Sequence, residues 1–287
     1  METGVACPVP GCRGPSATCA RCGCWRRPCA LCPVRCCRRD DAGLWLADVL
    51  GSLDLSAPAF RWPPEGPEPP SDLPPVVPVL GGRLDPPPRI RAAALRWDLV
   101  LSGRLWQDNL AKTRSRPPTA VAPRWLRGDP AATAGLPPGT PVVAWLCGPD
   151  EILEGLWTHQ FHAGAWSALA RCRFSAVVGP NYSVYGDHPR FEHRLNMARS
   201  ILAAVRLRAA GAPAVPHLYV WTDDDARDAA AWIAANRPAA VAVNWQTFGP
   251  APEWEAALAR YAALRDLAPA TTRWWFLGPS RPDRSRA

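Results

Sequence analysis

Short apolar runs alternate with stretches of helical periodicity along most of the chain. Six runs predict β-strands, at residues 97–101, 141–146, 175–178, 214–220, 240–243 and 273–277, and two weaker runs lie at 76–80 and 120–126. Strand, helix and strand in repeated order is typical of right-handed βαβ units and a parallel sheet. Because up to eight strands fit into roughly 200 residues, we expect an α/β fold, a (β/α)8-like parallel barrel that is irregular in its first half. The alternative is an open doubly wound sheet, which no glycine-rich nucleotide fingerprint supports.

Three helices are predicted between the later strands. The first follows Pro189 and ends before Gly211, and the second begins at Thr222, whose side chain and three following aspartates suit a helix start. The third carries an apolar stripe with the spacing of a helix face. Its members are Trp254, Leu258, Tyr261 and Leu264.

Twelve prolines lie between residues 56 and 89, and this density forbids a helix and disfavours a central strand. We therefore expect three parts. Residues 1–40 form a cysteine-rich metal-binding segment, residues 41–90 a proline-rich linker or covering arm, and residues 91–287 the barrel-like domain.

Cysteines are concentrated at the start of the chain. Nine of the eleven lie within 31 residues, and two pairs have the two-residue spacing with which thiolates bind one metal ion from a tight turn. This segment has few large apolar side chains, so it needs metal–thiolate bonds to become ordered. The candidate metal ligands are Cys7, Cys12, Cys19, Cys22, Cys24, Cys29, Cys32, Cys36 and Cys37.

Zinc is the expected metal, with one or two ions per chain. One assignment joins the first four cysteines in one site and makes a second from Cys24, Cys29, Cys32 and either Cys36 or Cys37, although the spacing does not fix the pairing. An iron–sulfur cluster is the alternative cofactor, but the common ferredoxin spacing is absent. Disulfides or free thiols are the remaining interpretation, disfavoured because no secretion signal is present.

Positive charge is concentrated in the same segment. The net charge is +8, and residues 1–39 contribute +6 of it through seven arginines against one glutamate, Glu2. A concentrated basic segment is what binding to a phosphate backbone requires. The expected partner is therefore nucleic acid, and the competing interpretation is a solvated tail.

Polar side chains follow four of the predicted strands. In parallel α/β folds, loops at the carboxyl ends of strands build the functional site. Amides, a carboxylate, an arginine and indoles at that edge suit a polar ring such as a base. The candidate catalytic residues are Asp187, Asn244 and Arg281, and the candidate substrate-binding residues are Asn181, Tyr185, Trp221, Asp223 and Trp245.

Several of these residues have a structural interpretation as well. Asp187 and Asp223 stand where helix caps and dipole partners stand. The five histidines lie between residues 159 and 217, and the pair His159 and His162 has no obvious further ligands, so surface or core positions explain them. Neither the serine-hydrolase elbow nor the zincin motif is present.

The stretch Gly179-Pro-Asn-Tyr-Ser-Val-Tyr-Gly-Asp-His-Pro189, followed by Asn196 and Ala214-Val-Pro-His217, resembles a bacterial and phage family catalogued as domain of unknown function 4417. The family motif reads S-P-D-F-S-x-Y-x-D-M-P, and the resemblance covers residues 140 to 280 at most. Six positions match it, Pro180, Ser183, Tyr185, Asp187 and Pro189 by identity and Tyr182 as an aromatic residue, whereas Gly179, Asn181 and His188 differ. The resemblance implies no specific activity, but its phage and mobile-element setting implies an association with nucleic acid.

Composition limits the remaining classes. Hydrophobic residues make up 48% of the chain and charged residues 20%, which is typical of a folded protein, and no run of eighteen apolar residues occurs. Residues 1–7 do not resemble a signal peptide, so we expect a cytoplasmic protein without a membrane partner. The leading hypothesis is a nucleic-acid-associated protein with a zinc-stabilised N-terminal segment. One version of this hypothesis is an enzyme that acts on a base or nucleotide. The alternative is a non-catalytic interaction or structural module of a phage or mobile element.

Overall fold

A computed structural model of the protein describes residues 54–72, 79–81, 99–102, 121, 123–147, 153, 156–157, 164–184, 190–245 and 251–277. The cysteine-rich segment lies outside these ranges. Within them, no helix combines the length and the apolar character that crossing a membrane requires.

Eight short strands form the centre of the described structure, and every pair of hydrogen-bonded strands is parallel. The apolar runs of the sequence supply them, since residues buried on both faces of a parallel sheet are apolar throughout. They are β1 (Val79–Gly81), β2 (Leu99–Ser102), β3 (Val142–Trp145), β4 (Ala176–Val178), β5 (Ala214–Val215), β6 (His217–Leu218), β7 (Ala240–Asn244) and β8 (Arg273–Leu277).

The strands form two sheets, and the predicted (β/α)8-like barrel is wrong. Strands β1 to β5 make one sheet in chain order and β6 to β8 make a second, and no pairing among the described residues closes either sheet. Pro216 divides the predicted strand 214–220 into β5 and β6, because proline lacks the N–H that a continuous ladder requires. The end of the weak candidate 120–126 is not a strand, since a 3₁₀ turn occupies Trp125–Arg127.

Five α-helices are described: α1 (Pro130–Thr133), α2 (Ala165–Arg171), α3 (Arg190–Ala209), α4 (Asp223–Asn236) and α5 (Ala251–Leu267). The predicted start of α4 is confirmed, because Thr222 accepts a hydrogen bond from Asp225 N and the Asp225 carboxylate accepts one from Thr222 N. The predicted helices after Pro189 and around Trp254 correspond to α3 and α5.

The sheets separate two apolar clusters. The outer cluster lies under α2, α3, α4 and α5 and includes Leu218, Val220, Val241 and Val243. The inner cluster contains the alternate strand residues, which point to the opposite face. Its members are Val143, Trp145, Ala176, Val178, Val215, Ala240, Ala242 and Leu277, with Cys147 and Trp275 at its border.

Residues 54–72 of the proline-rich segment cover part of the helical layer. Phe60 and Trp62 are buried, and their backbone is bonded to α4: Trp232 Nε1 donates to Phe60 O at 2.9 Å, and Trp62 N donates to Asn236 Oδ1 at 2.7 Å. These contacts form the first half of a segment that we call the proline arm, residues 54–72.

Two arginines bind the second half of the proline arm. The Arg208 side chain is 2% exposed, and it donates to the carbonyl oxygens of Pro63 at 2.8 Å and Pro67 at 3.0 Å and forms an ion pair with Glu68. Prolines have carbonyl acceptors but no N–H donors, so a segment rich in them takes its donors from elsewhere. Arg208 supplies them.

Arg273, at the start of β8, binds the end of the proline arm in the same way. Its guanidinium donates to Pro70 O at 2.8 Å and to Ala239 O at 2.9 Å. The proline arm therefore runs from α4 to the amino-terminal edge of β7 and β8. Gly66 has a φ of 134°, a conformation that favours glycine, and the arm turns there directly against the Arg208 side chain.

We expect the substitution Arg208→Ala to lower the free energy of unfolding by about 3 kcal/mol, because it removes a buried guanidinium that donates to the proline carbonyls and pairs with the half-exposed Glu68. Arg208→Lys should lower it by less, since an ammonium keeps the charge but lacks the planar fork. Urea denaturation followed by tryptophan fluorescence measures both changes.

The matched control is Arg265→Ala, whose partner Asp266 and whose own side chain are about two-thirds exposed. An exposed pair of this kind contributes about 0.5 kcal/mol or less. Equal losses for the two alanine variants would show that the proline arm does not depend on Arg208.

Candidate functional site

Five of the predicted site residues lie in the described structure: Asn181, Trp221, Asp223, Asn244 and Trp245. The others lie outside it, namely Tyr185, Asp187, Arg281 and the nine cysteines from Cys7 to Cys37. The structure therefore places the middle of the predicted site and leaves the remaining assignments as predictions.

Asn244 lies on the inner face at the carboxyl end of β7. It is 4% exposed, and its Nδ2 is 3.8 Å from Sγ of Cys147, which follows β3. Strands β4, β5 and β6 come between β3 and β7 along the chain, and β3 and β7 belong to different sheets. A side-chain contact across them shows that the inner face is concave and brings these two carboxyl ends together.

Two aromatic residues lie one level deeper on this inner face. Trp145 precedes Cys147 by two residues on β3, and His217 pairs in register with Ala242, which precedes Asn244 by two residues. The Trp145 and His217 rings meet edge to face, with centroids 6.4 Å apart. We call Trp145, Cys147, His217 and Asn244 the inner polar cluster.

His217 is held in its neutral form. It is 1% exposed and surrounded by the apolar inner cluster, and this burial lowers the pKa of its imidazole to about 3. At neutral pH its ring therefore offers one N–H donor and one nitrogen acceptor and carries no charge.

The described ends of the central strands carry no ionised side chain toward this cluster. Residues 142–147, 176–178, 214–218 and 240–244 contain neither a lysine or arginine nor an aspartate or glutamate. Arg273 has the inner-face parity on β8, but it pairs with Ala240 at the opposite end and is bonded to the proline arm. Within the described residues, the inner polar cluster is therefore built from uncharged groups.

The two predicted indoles lie on the outer face instead. Trp245 packs against Trp254 and Tyr261 of α5, with ring centroids 5.4 and 5.7 Å away. Trp221 packs against His193 of α3 at 5.2 Å and lies under the Arg260 guanidinium of α5. Trp245 directly follows Asn244 and therefore points to the opposite face of the sheet. Trp221 packs against α3 and α5, so neither indole lies near Asn244.

Asp223 is exposed at the first position of α4, where a carboxylate stabilises the helix dipole. Asn181 follows β4 and fixes its loop through the backbone, since its N–H donates to Leu146 O at 3.1 Å. The structure thus places both residues beside the inner polar cluster's strands but not within the cluster itself.

The loop after β4 is anchored on α3. Asn196 Nδ2 donates to Ser183 O at 2.7 Å, and Arg199 donates to Asn196 Oδ1 at 2.9 Å while its guanidinium lies 4.0 Å from the Tyr182 ring centroid. Gly179 lets this loop approach the helix, because a Cβ there would lie 3.3 Å from Ser200 O and from the Ala204 side chain.

No group of three potential metal ligands occurs within the described part of the chain. The Cys172 thiol is buried, its burial raises its pKa to about 11, and it donates to Ala168 O at 3.2 Å, so it is a structural side chain. The predicted zinc site depends wholly on cysteines outside the described residues.

A second concave feature lies between the proline arm and the helices. A half-open cleft of about 920 Å³ is lined by Asp54, Arg61 and Trp62 on one side and by Arg194, Asp228 and Trp232 on the other. Arg194 of α3 and Asp228 of α4 form an ion pair on that helical side at 3.5 Å. Sequence analysis did not anticipate this cleft, because its walls are far apart along the chain.

Sequence analysis also missed Trp145, Cys147 and His217 as site residues. Each stands inside or directly after an apolar run and is an even number of residues away from other inner-face residues of the same run along the chain. The period-two pattern of a strand is the signal that separates them from the outer-face residues.

Comparisons with models of known protein families, with curated proteins and with solved structures gave no match to this chain. The resemblance to domain of unknown function 4417 stays a prediction.

The buried His217 predicts a loss of stability in acid. Its folded pKa is about 3 against 6.5 when unfolded, so only the unfolded chain takes up a proton as the pH falls below 6.5. The effect of His217 on the free energy of unfolding is therefore most favourable above pH 6.5. Proton uptake by the unfolded chain lowers this free energy by about 2.5 kcal/mol between pH 7 and pH 4.5.

The measurement is urea denaturation of the wild type and of His217→Phe at pH 7 and pH 4.5. Carboxylates titrate equally in both proteins, so the difference isolates the imidazole. The variant should lose about 2.5 kcal/mol less than the wild type on acidification. The same loss in both would mean that His217 is protonated in the folded protein.

Proposed function

We propose that this protein is a nucleic-acid-associated protein whose N-terminal segment binds the phosphate backbone and whose α/β part binds a base or nucleotide at the inner polar cluster. The observation that carries the proposal is the concentration of seven arginines among nine cysteines within the first 39 residues. The proposed role is binding, with no reaction assigned.

The geometry of the inner polar cluster supports the second half of the proposal. Ligands of parallel α/β proteins bind at the carboxyl ends of strands, and Cys147 and Asn244 meet at two such ends. An amide, a thiol, an indole and a neutral imidazole match the edge of an uncharged ring better than they match a phosphate. The backbone phosphates then require another contact, which the arginines of residues 13–39 provide.

We propose further that zinc orders the N-terminal segment, so that its arginines form a defined surface. Elemental analysis of the purified full-length chain should give one or two zinc ions, and chelation should release them while the α/β part stays folded. Circular dichroism before and after chelation follows the fold. A protein that contains iron, or no metal at all, would contradict zinc as the cofactor.

The test of nucleic-acid association is the salt dependence of binding. Each neutralised phosphate contributes about −0.7 to −0.9 to the slope of log affinity against log salt. The triple variant Arg26→Gln, Arg27→Gln and Arg35→Gln should therefore weaken binding of a single-stranded oligonucleotide and flatten the slope by up to about 2.1, since each single-strand phosphate contributes about 0.7. Fluorescence anisotropy at four salt concentrations measures it.

The control neutralises three exposed arginines of the described part, Arg127, Arg171 and Arg173, and removes the same net charge. It should leave the slope within experimental error. If both triple variants change the slope equally, the attraction is a property of the overall charge and the N-terminal segment is not the contact.

One observation favours the alternative of a non-catalytic interaction or structural module. Asn244 is buried, and its amide already contacts the Cys147 thiol. In this alternative the carboxyl edge is structural, and the charged cleft between the proline arm and α4 is the exposed concave surface that meets a partner.

A further inference from the structure

Three buried ring nitrogens lie together on the inner face. Trp145 Nε1 and both nitrogens of His217 have no hydrogen-bond partner among the described residues, although the two side chains are only 2% and 1% exposed. Their rings are in edge-to-face contact. Two donors and one acceptor are thus gathered at one place in an apolar surrounding.

Such groups are unfavourable in a folded core. A buried polar atom without a partner costs about 1–3 kcal/mol, whereas a phenylalanine at either position would bury a ring without that cost. The inner-cluster residues around them, Val143, Val178, Val215 and Ala242, have no polar side-chain atoms with which to offset it. A bound molecule with matching donors and acceptors would offset this cost.

The strand register indicates where a ring would lie. His217 is level with Ala242, and Ala242 is level with Trp275 on the next strand, so a methyl group stands between two aromatic side chains of one face. Asn244 is one level above Ala242. This arrangement has the parts of a site for a flat molecule, with aromatic faces at the sides and hydrogen-bonding groups at the edge.

We propose that Trp145 and His217 bind the edge of an uncharged planar heterocycle, the nucleobase portion of the ligand, through one hydrogen bond donated by Trp145 Nε1 and one hydrogen bond at a ring nitrogen of His217. This inference rests on the proposed function and assigns its ligand contacts to residues deeper than the strand ends. A nucleobase presents donors and acceptors side by side on its edge. Phosphate and carboxylate groups are excluded, because the inner polar cluster provides no cation.

The neutral state of His217 fits this ligand class. Burial keeps its imidazole uncharged at physiological pH, so the ring can accept a hydrogen bond with one nitrogen and donate with the other. A protonated histidine would offer only donors and would select an anion. The described environment therefore selects for a neutral partner.

The experiment is isothermal titration of the full-length protein with adenine, guanine, cytosine and uracil, and with inorganic phosphate as the anionic probe. At least one base should bind the wild type, and phosphate should not compete with it. His217→Phe keeps an aromatic ring but removes both nitrogens, and it should raise the dissociation constant of that base at least 10-fold. Trp145→Phe removes one donor and should raise it about 3- to 10-fold.

Two further variants separate binding from folding and locate the base. Trp245→Phe changes an outer-face indole and should alter the dissociation constant less than 2-fold. Asn244→Ala should weaken binding as well, because its amide borders the same site. Removal of unpaired polar atoms should leave the melting temperature of His217→Phe and Trp145→Phe at or above the wild-type value, so weakened binding would not reflect unfolding.

Three outcomes would overturn the inference. If the wild type binds a base and both phenylalanine variants bind it equally well, the base lies elsewhere, while the proposed function stands. If phosphate displaces the base and His217→Phe abolishes phosphate binding, the ligand class is anionic. If no base binds the wild type, the inference fails together with the base-binding half of the proposed function, and the oligonucleotide salt slope still tests the other half.

Discussion

The hydrogen bonds from the buried Arg208 guanidinium to proline carbonyls are the interaction on which the cover of the helical layer depends. A segment with so many prolines cannot satisfy its carbonyls through a helix or a ladder, so its position is set by donors from other elements. Arg208 from α3 and Arg273 from β8 both reach proline carbonyls, and Trp232 and Asn236 of α4 hold the preceding residues. One segment thereby ties together α3, α4 and the amino-terminal edge of the second sheet.

The second constraint is the concavity of the strands. Short parallel strands, interrupted at Pro216, curve enough for Asn244 and Cys147 to touch across three intervening strands. Small residues such as Ala176, Ala240 and Ala242 line the inner face, while the large His217 and Trp145 rings lie between them. The inner polar cluster therefore owes its position to the sheet and not to any single loop.

Local patterns in the sequence predicted the local structure well. Apolar runs located most strands, and Thr222 with its three aspartates located the start of α4, because both signals act within a few residues. Sheet closure was predicted incorrectly, since it depends on pairing between distant strands and on one missing N–H at Pro216. Asn244 was recognisable as a polar residue at a strand end, whereas His217 was not, because its face and its unpartnered nitrogens depend on the curvature. The partners of the proline arm are about 140 to 200 residues away, beyond any local pattern.

The fixed proline arm also sets a tether. Sixteen residues separate Cys37 from Asp54, where the anchored part begins, so these two residues lie at most about 61 Å apart, the length of the fully extended chain. In the proposed function, a nucleic acid bound by the N-terminal segment would be confined to a small volume around the α/β part, and its effective local concentration would reach about the millimolar range. Under the proposed function, weak contacts with a single base would therefore be sufficient, since capture of the backbone makes the second encounter intramolecular.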